Sequence, residues 1–499
     1  MKPGILSASL ALTIVGLGAF VTALDQTVVV TALPEVMLDL KIPVVELDRV
    51  SWVVTGYLLG YTAVMPLMGR LADVYGYSRV YQASLVIFSL GTALVAVSPN
   101  LEWMVGARVI QAIGGGATLP IGMAIATSML PPRRRGLGVG IVVACAEAGS
   151  MLGPAYGGAI VELSSWRWIF WLNVPQSAVI FLALLWIPNR PQRGASVDYL
   201  GGALLTATLL MLSLALSRKG LFTLSSPTPF VMAAMGLGLV LVVILVERRA
   251  LQPLLAPFLF RSRAFVSANA TQVLEGVAFI IALVTIPLMA NTVMGRDPLT
   301  GAWWLLRLTA AIPVGALVGG WAVAYLGVRP VTVAGLVLSA VGLLLVSTWD
   351  LDIAEPRLTV HLLVAGAGFG LNNAPIMARA LGAAGDEYRG TAASLVTVSR
   401  MIGMALGLSA LSAWGVEHFH VLTAGLELPV QQPGETGEAL RARQTEYMAR
   451  LNDAGLALFR NFFHIAAGVS VAAIVPALLM RPDRRERDAG LEEVDQPGT

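Results

Sequence analysis

Long apolar segments, separated by short polar ones, follow one another along the entire chain. A helix needs roughly 20 apolar residues to cross the hydrocarbon core of a bilayer, and fourteen segments are about that long. Their approximate cores are Ile5 to Leu33, Val50 to Met68, Val80 to Val97, Leu101 to Leu130, Leu137 to Leu163, Trp168 to Ile187, Leu200 to Leu216, Phe230 to Val246, Phe265 to Met289, Trp303 to Leu326, Val331 to Thr348, Leu358 to Ala378, Thr391 to Trp414 and Leu456 to Met480. The pattern predicts an all-α polytopic membrane protein with fourteen transmembrane helices.

The composition supports this interpretation and excludes a soluble protein of this size. Of the 499 residues, 56% are hydrophobic and only 13% are charged, and the mean hydropathy is +0.76. The first segment is too long for the core of a signal peptide and lacks a small-residue cleavage site. We therefore expect it to be retained as a span.

The sequence gives little support for redox, metal, nucleotide or nucleic-acid chemistry. The single cysteine, Cys145, lies in an apolar segment and has no partner for a disulfide or a thiolate metal site. Of the four histidines only His418 and His420 are close together, which does not suggest a metal site. No loop of the Gly-x-x-x-x-Gly-Lys type is present, and Arg133 to Arg135 is a topology signal before it is a nucleic-acid patch. We expect no enzyme activity, metal, cofactor or nucleic-acid partner.

The lysines and arginines are distributed unevenly between the segments that connect the spans. If the N-terminus is cytoplasmic, 19 of the 33 lie in inner segments and 10 in outer segments, and four lie in or at spans. The positive-inside rule then places both termini in the cytoplasm and the chain in the cytoplasmic (inner) membrane. Arg218 and Lys219 lie on the wrong side in this topology, so the seventh and eighth spans fit it least well.

Polar linkers divide the predicted spans into six, two and six. We expect a six-helix bundle in residues 1–187, a linker with two additional helices in 188–263, a second six-helix bundle in 264–480 and a cytoplasmic tail in 481–499. An enlarged outer extension occupies about residues 416–455. Repeated halves around a site at the middle of the membrane are common in secondary transporters.

A weak internal repeat supports this division. Gly69 and Gly76 follow the second span, and Gly320 and Gly327 follow the tenth with the same spacing of seven residues. Asp73 lies within the first copy and has no acidic counterpart in the second. Only one half therefore carries a charged loop at this position.

Acidic side chains inside predicted spans are the main candidates for function. An ionisable residue there costs on the order of 3 kcal/mol on insertion scales, so Asp25 is by default a functional hypothesis, against the alternative of a paired or solvated acid near the outer interface. Glu147 lies near the middle of the fifth span. We expect both acids to take part in proton coupling.

Basic residues in the spans need partners. Arg108 and Arg400 stay charged and require carboxylate, backbone or water contacts in the bundle, and we expect them to influence when the acids are protonated. A fixed structural ion pair is the alternative for Arg108. Glu275 and Arg307 are secondary candidates, and the simplest expectation is that they form a structural pair with each other.

Five motifs, in order, make the chain similar to the major facilitator superfamily, specifically its fourteen-helix drug:proton antiporter branch. They are Asp25 to Pro34 in the first span, the loop Gly69 to Gly76, Arg108 to Gln111, Gly149 to Gly158, and Trp166 to Pro175. The resemblance covers nearly the whole chain and implies a transporter with two halves and alternating access.

The resemblance assigns roles to several motif residues. Asp73 is expected to accept hydrogen bonds from a neighbouring helix N-terminus and so lock an inner gate, although Val74 and Tyr77 stand where the family commonly has arginines. In the fifth span, spacing by four residues permits close helix approach and a proline bends the helix. The residues concerned are Gly149, Gly153, Pro154, Gly157 and Gly158.

Within that branch the chain looks most like the mycobacterial triacylglyceride exporters. The residues that carry this likeness are Trp52 to Thr55, Tyr57 to Tyr61, Glu147 with Leu152 to Pro154, Ser399 to Met401, and Ala410 to Gly415. The likeness implies coupling roles for Asp25, Glu147 and Arg400, and a periplasmic lipid-carrier protein as a possible partner. It also implies the outer extension, in which residues 435–453 are predicted to form a short helix.

The sequence therefore predicts a proton-driven exporter of hydrophobic or amphipathic compounds, with lipids of the triacylglyceride type as the favoured cargo. A broad-range multidrug:proton antiporter is the alternative, and a non-transporting lipid receptor or membrane enzyme is a more distant one. Membrane lipids and a hydrophobic small molecule are the expected partners. We expect a monomer, since each half can bury the polar face of the other.

Overall fold

The structure is a computed structural model that describes residues 5–42, 47–50, 52–189, 191, 197–217, 228–249, 257–430 and 436–480. Every regular element among these residues is a helix. The long helices are α1 (Ile5–Asp39), α2 (Trp52–Tyr75), α3 (Tyr77–Ala96), α4 (Leu101–Met129), α5 (Arg135–Leu163), α6 (Arg167–Leu184), α7 (Tyr199–Ser217), α8 (Thr228–Arg249), α9 (Arg263–Thr292), α10 (Pro298–Leu326), α11 (Val328–Ser347), α12 (Glu355–Ala384), α13 (Arg389–Thr423) and α14 (Gly437–Ala472). Short helical turns are Leu47–Val50, Pro132–Arg134, Pro257–Arg261 and Ile474–Leu479.

Eleven helices in the described part of the chain are long and apolar enough to cross a membrane. The segments Tyr199–Leu212 and Phe230–Val246 are apolar but shorter, and α12 is long but more polar than the eleven. The prediction of an all-helical multi-pass membrane protein is thus confirmed, and the arrangement of fourteen spans as six, two and six stays a prediction. Arg218, Lys219, much of the 188–198 linker and the tail 481–499 lie outside the described residues.

The helix pairings of the first half recur in the second half. Helix α1 packs on α5 and α3 on α4; correspondingly, α9 packs on α13 and α11 on α12. Two further pairings, α5 with α10 and α2 with α13, join the halves. The middle helices α7 and α8 pack on each other, and α7 also contacts α2 and α13. The predicted domain boundaries stay a prediction.

The apolar core is shared by both halves at one end of the bundle and divided at the other. At the end where Asp73 lies, which we call the Asp73 end, one cluster contains residues of both halves, such as Val139 and Ala392. Toward the opposite end, Trp166 belongs to a cluster of the first half and Trp349 to a separate cluster of the second. The halves are therefore packed together at the Asp73 end and have separate cores at the other.

The two copies of the glycine repeat occupy equivalent turns. Gly76 and Gly327 have φ angles of 94° and 83°, which glycine adopts without a Cβ penalty, and they join α2 to α3 and α10 to α11. Gly69 and Gly320 each approach the other half of the molecule. A Cβ on Gly69 would lie 2.4 Å from the carbonyl oxygen of Gly390, and one on Gly320 would lie 2.5 Å from that of Gly136.

The structure corrects two sequence expectations about element boundaries. Asp73 lies in the last turn of α2 and not in a loop. The predicted short helix at 435–453 is the first half of the continuous helix α14, whose second half is the last predicted span. No proline separates the two parts, so the helix continues. In its first part Leu440 and Tyr447 are half-buried. The outer extension as a whole stays a prediction.

Candidate functional site

Asp25 lies at the centre of a buried polar cluster in the first half. Its Oδ2 accepts a hydrogen bond from Arg108 Nη1 at 2.8 Å, and its Oδ1 accepts from Gln111 Nε2 at 3.0 Å and Asn173 Nδ2 at 2.7 Å. Gln111 also binds Arg108 Nη1 through its Oε1 at 2.7 Å and donates to Thr92 Oγ1 at 2.6 Å. All five side chains are fully buried.

The Arg108 guanidinium also contacts groups on other helices. Its planar face lies over the ring of Tyr57, with 4.1 Å from Cζ to the ring centroid, and Phe170 is 5.9 Å away. Its Nε donates to the carbonyl oxygen of Val53 at 3.4 Å. Additional hydrogen bonds offset the cost of burying an ion pair, and this cluster supplies several of them, although Arg108 Nη2 has no hydrogen-bond partner among the described residues.

The cluster decides between the two interpretations of Asp25 only in part. Asp25 has no contact with solvent and is paired, so burial of its charge is compensated by Arg108 and two amides. Gln111 and Arg108, the predicted buried-arginine motif, are its direct partners. The pairing expected for a structural role is present, and a proton-coupling role for Asp25 stays a prediction.

Sequence reasoning missed three members of this cluster as site residues. Asn173 and Tyr57 belong to motifs used only for the family resemblance, and Thr92 carries no signal in the sequence. An amide inside an apolar span is unusual because its hydrogen bonds must be satisfied within the protein. That argument identifies Asn173 and could have been applied to the sequence alone.

Glu147 and Arg400 form a second ion pair, and this one connects the two halves. Glu147 Oε1 on α5 lies 2.9 Å from Arg400 Nη1 on α13. The side chains are 18% and 13% exposed, respectively, so this pair is less enclosed than the Asp25 pair. The guanidinium also lies over the ring of Phe279 on α9, at 4.8 Å from the centroid. The two predicted coupling residues are therefore in direct contact.

Glu275 and Arg307 do not pair with each other, so that expectation is wrong. Arg307 binds Glu355 and also donates to Thr359 Oγ1 at 3.0 Å. Arg307 lies near the start of α10 and Glu355 at the start of α12, where water is accessible, whereas Glu275 is buried in the middle of α9. Helical geometry separates the two residues along the bundle axis, which the sequence could not show.

Asp73 joins the two halves through the N-terminus of α13. Its Oδ1 accepts from the backbone N–H of Gly390 at 2.7 Å, and its Oδ2 accepts from Thr391 N at 2.9 Å and Thr391 Oγ1 at 2.8 Å. Tyr77 donates its hydroxyl to Oδ1 at 2.9 Å. A carboxylate at a helix N-terminus is stabilised by the free N–H groups and the helix dipole. The expected contact between Asp73 and a neighbouring helix N-terminus is thus confirmed.

The glycines of the fifth-span motif pack against α1 beside Asp25. A Cβ on Gly149 would lie 2.2 Å from Phe20 O, one on Gly153 2.0 Å from Thr27 Oγ1, and one on Gly157 2.6 Å from Thr31 Oγ1. Gly158 and Pro154 are exposed, and nothing lies within 4 Å of a Cβ on Gly158. Three motif glycines therefore permit the expected close approach, and Gly158 does not take part in it.

The second half contains an equivalent glycine contact that the sequence analysis missed. A Cβ on Gly403 would lie 2.0 Å from Val273 O, and one on Gly407 would lie 2.7 Å from the Ile280 side chain. Both glycines are on α13 and follow Arg400, just as Gly149 and Gly153 follow Glu147 on α5. The helices that carry the connecting ion pair therefore each pack through glycines on a helix that carries a buried acid.

The family comparison agrees with this architecture. The profile of the Major Facilitator Superfamily matches residues 15–408 and 268–498. The chain belongs to the Major Facilitator Superfamily. It is a multi-pass membrane protein of this transporter superfamily. Its candidate site residues meet within and between the two halves described above.

Curated relatives of this superfamily member match along nearly its whole length. A triacylglyceride transporter of Mycolicibacterium hassiacum is 34% identical, with 99% of this chain and 96% of the relative covered. A triacylglyceride transporter of Mycobacterium tuberculosis is 33% identical, with 96% of each covered. Another, from Mycolicibacterium smegmatis, is 33% identical over 95% of this chain and 87% of the relative. The resemblance to proteins of this name is therefore confirmed.

Solved structures show the same fold at low sequence identity. The human organic anion transporter TETRAN superposes with a TM-score of 0.60 at 15% identity, covering 95% of this chain and 99% of that one. A proton:xylose symporter superposes with a TM-score of 0.61 at 12% identity, covering 94% of each. These similarities support the fold and carry no information on cargo.

Proposed function

We propose that this protein is a proton-coupled, alternating-access exporter of hydrophobic lipids of the triacylglyceride class. It acts in the cytoplasmic membrane as a monomer, with both termini in the cytoplasm and without a cofactor. The observation that carries the proposal is the ion pair between Glu147 and Arg400, which joins the halves through a titratable and partly exposed carboxylate. The names of the curated relatives support the lipid class.

Protonation of Glu147 is the step that links protons to movement of the halves. While Glu147 is ionised, its attraction to Arg400 holds α5 against α13. A proton from the outside removes that charge and with it the attraction between opposite charges, so that only a hydrogen bond from the Arg400 cation to a neutral carboxyl group remains. The halves are then able to separate at this level, and loss of the proton to the cytoplasm restores the pair.

The Asp73 contact is the second element of the cycle. In the proposed orientation the Asp73 end faces the cytoplasm, so the shared core and the bonds to Gly390 and Thr391 close the cytoplasmic side. Opening this side requires both contacts to break. This conformation then corresponds to the outward-facing stage of the cycle, after the cargo has left the cytoplasm.

The available driving force is adequate for this cycle. Movement of one elementary charge across 100 mV supplies about 2.3 kcal/mol, and a pH difference of one unit adds about 1.4 kcal/mol per proton. The cargo itself is uncharged, so the field acts on the protons alone. A periplasmic lipid-carrier protein is the proposed recipient, because a triacylglyceride is insoluble in water.

Reconstitution in vesicles tests the proposal. A labelled triacylglyceride and a cationic dye are loaded in parallel, and their movement is followed with and without an imposed pH gradient. We expect gradient-dependent lipid movement that Glu147→Gln abolishes, whereas Glu355→Gln, which alters an exposed ion pair with Arg307, leaves it unchanged. Movement of the dye alone would favour a multidrug antiporter, and movement of neither compound would contradict transport of these cargoes.

A further inference from the structure

Glu275 is a buried carboxyl group with no hydrogen-bond partner among the described residues. Its side chain is on α9 and the residue is only 1% exposed, and neither Oε1 nor Oε2 receives a hydrogen bond. The amide of Asn372 on α12 lies next to the carboxyl group without completing a hydrogen bond to it. A carboxylate that is neither hydrated nor bonded is strongly disfavoured in such a position.

The charges that act on Glu275 are those of the ion pair between the halves. Arg400 on α13 and Glu147 on α5 both act electrostatically on Glu275, and Asn372 on α12 is its polar neighbour. Arg400 therefore lies between two acids and is bound to only one of them.

Arg400 packs on the helix that carries Glu275. Gly276, the residue after Glu275, touches the main chain of α13: a Cβ there would lie 2.4 Å from the carbonyl oxygen of Arg400. Phe279, one turn further along α9, lies under the guanidinium. Arg400 Nε has no hydrogen-bond partner among the described residues. The arginine is thus packed onto the helix that carries Glu275 while its Nη1 binds the other half.

We propose that Glu275 is a proton-carrying residue of this site and alternates with Glu147 as the partner of Arg400. Glu275 is neutral while Arg400 binds ionised Glu147. When Glu147 takes up a proton, Arg400 turns to Glu275, which releases its own proton and becomes the bound carboxylate. The three groups hold one positive charge, one negative charge and one proton in both arrangements, so the proton gained by Glu147 balances the proton lost by Glu275.

This exchange deepens the proposed function and rests on it for its role in transport. Glu147 takes up a proton from the outside and Glu275 releases one to the cytoplasm; transfer of the Glu147 proton to Glu275 then restores the first arrangement. One proton moves through the site in each cycle, and no buried charge is left unpaired. The exchange also explains why Arg400 is stable when the halves separate, because the second acid lies on the same half of the protein. A single acid would leave the arginine unpaired in the middle of the membrane, which is expensive.

Infrared difference spectroscopy of the purified full-length protein at neutral pH tests the exchange without any cargo. We expect a protonated-carboxyl band that shifts in D₂O and is lost in Glu275→Gln. The band is also expected to be lost in Glu147→Gln, because Glu275 then ionises to pair with Arg400. The double variant Glu147→Gln with Arg400→Gln should regain it, since no cation remains. Glu355→Gln is the matched control and should keep the band.

Each outcome separates this inference from the proposed function. A band that persists unchanged in Glu275→Gln, or one that persists in Glu147→Gln, overturns the inference even if lipid transport is observed. Bands that behave as expected in a protein that moves no lipid support the exchange and contradict the exporter. If Glu275→Gln does not fold, Glu275→Asp keeps a carboxyl group and is expected to shift the band in frequency; an unshifted band overturns the proposal.

Discussion

Glu147 Oε1 on α5 and Arg400 Nη1 on α13 lie 2.9 Å apart and form an ion pair between the two halves of the molecule. Each of the two helices that carry the pair packs through glycines on a helix with a buried acid. A change in the charge of Glu147 therefore acts on the contact between the halves and on both acid-bearing helices.

Removing either charge of this pair is expected to lower the stability of the protein. Glu147→Gln and Arg400→Gln should each lower stability, and the double variant should lose less than the sum, because the contact between the two side chains is already lost after the first change. For residues in direct contact the interaction energy is about 0.5 to 3 kcal/mol. Thermal unfolding of the four proteins in detergent measures it, and strict additivity would show that the pair does not couple the halves.

Asp25→Asn is expected to destabilise the protein strongly. The substitution leaves the Arg108 charge fully buried without its carboxylate, a change that typically costs about 3 to 5 kcal/mol. Asp39→Asn, at the exposed end of the same helix, removes only a surface pair with Arg167 and should cost less than about 1 kcal/mol. Equal shifts of the unfolding midpoint in the two variants would contradict the role assigned to the buried cluster.

Gly153→Ala and Gly158→Ala form a matched pair on one helix. At Gly153 the new Cβ would lie 2.0 Å from Thr27 Oγ1 and 2.9 Å from Leu24 O, so α1 and α5 must move apart. At Gly158 nothing lies within 4 Å, and alanine is favoured over glycine in a helix by up to about 1 kcal/mol. We expect a lower unfolding midpoint and impaired transport for the first variant only, and the opposite order would refute the close contact.

Asp73→Asn should loosen the Asp73 end of the bundle. Its amide nitrogen cannot accept the hydrogen bonds that Gly390 and Thr391 donate, so one side of the contact is lost. Hydrogen exchange of the amides at the start of α13 should become faster, by roughly tenfold for each 1.4 kcal/mol lost. Peptides from α14 serve as an internal reference and should not change, and unaltered exchange at α13 would argue against a gate at this position.

The pH dependence of transport should not involve Asp39. The hydrogen bond from the Arg167 guanidinium holds the pKa of this carboxyl below its ordinary value of 3.8. Its contribution to stability is therefore present above pH 3.8 and is lost only as the pH falls through the lower, folded-state pKa. Transport profiles of Asp39→Asn and of the unaltered protein should coincide above about pH 5, where a free aspartate is already ionised. A shifted profile would assign a coupling role to this residue.

Much of the candidate site was predictable because an ionisable residue in an apolar span is conspicuous. Asp25, Glu147, Arg108 and Arg400 were found by this argument, and Asp73 by the family motif. Their pairing was not predictable, since a sequence gives neither the rotation of each helix about its axis nor its depth in the bundle. Glu275 and Arg307 illustrate the difference: both were noticed, yet Arg307 lies at the water-accessible end beside Glu355 and Glu275 lies beside Arg400.

The sequence by itself determined that this is an all-helical membrane protein, because hydrophobic length is a local property that each span carries independently. It also determined the repeated glycine turns at Gly76 and Gly327, since a positive φ angle is a requirement of one residue. Only the tertiary structure decided which acid meets which arginine and that a core cluster at the Asp73 end contains residues of both halves. Those features depend on helices far apart in the chain, whose relative positions are set by packing of the whole bundle.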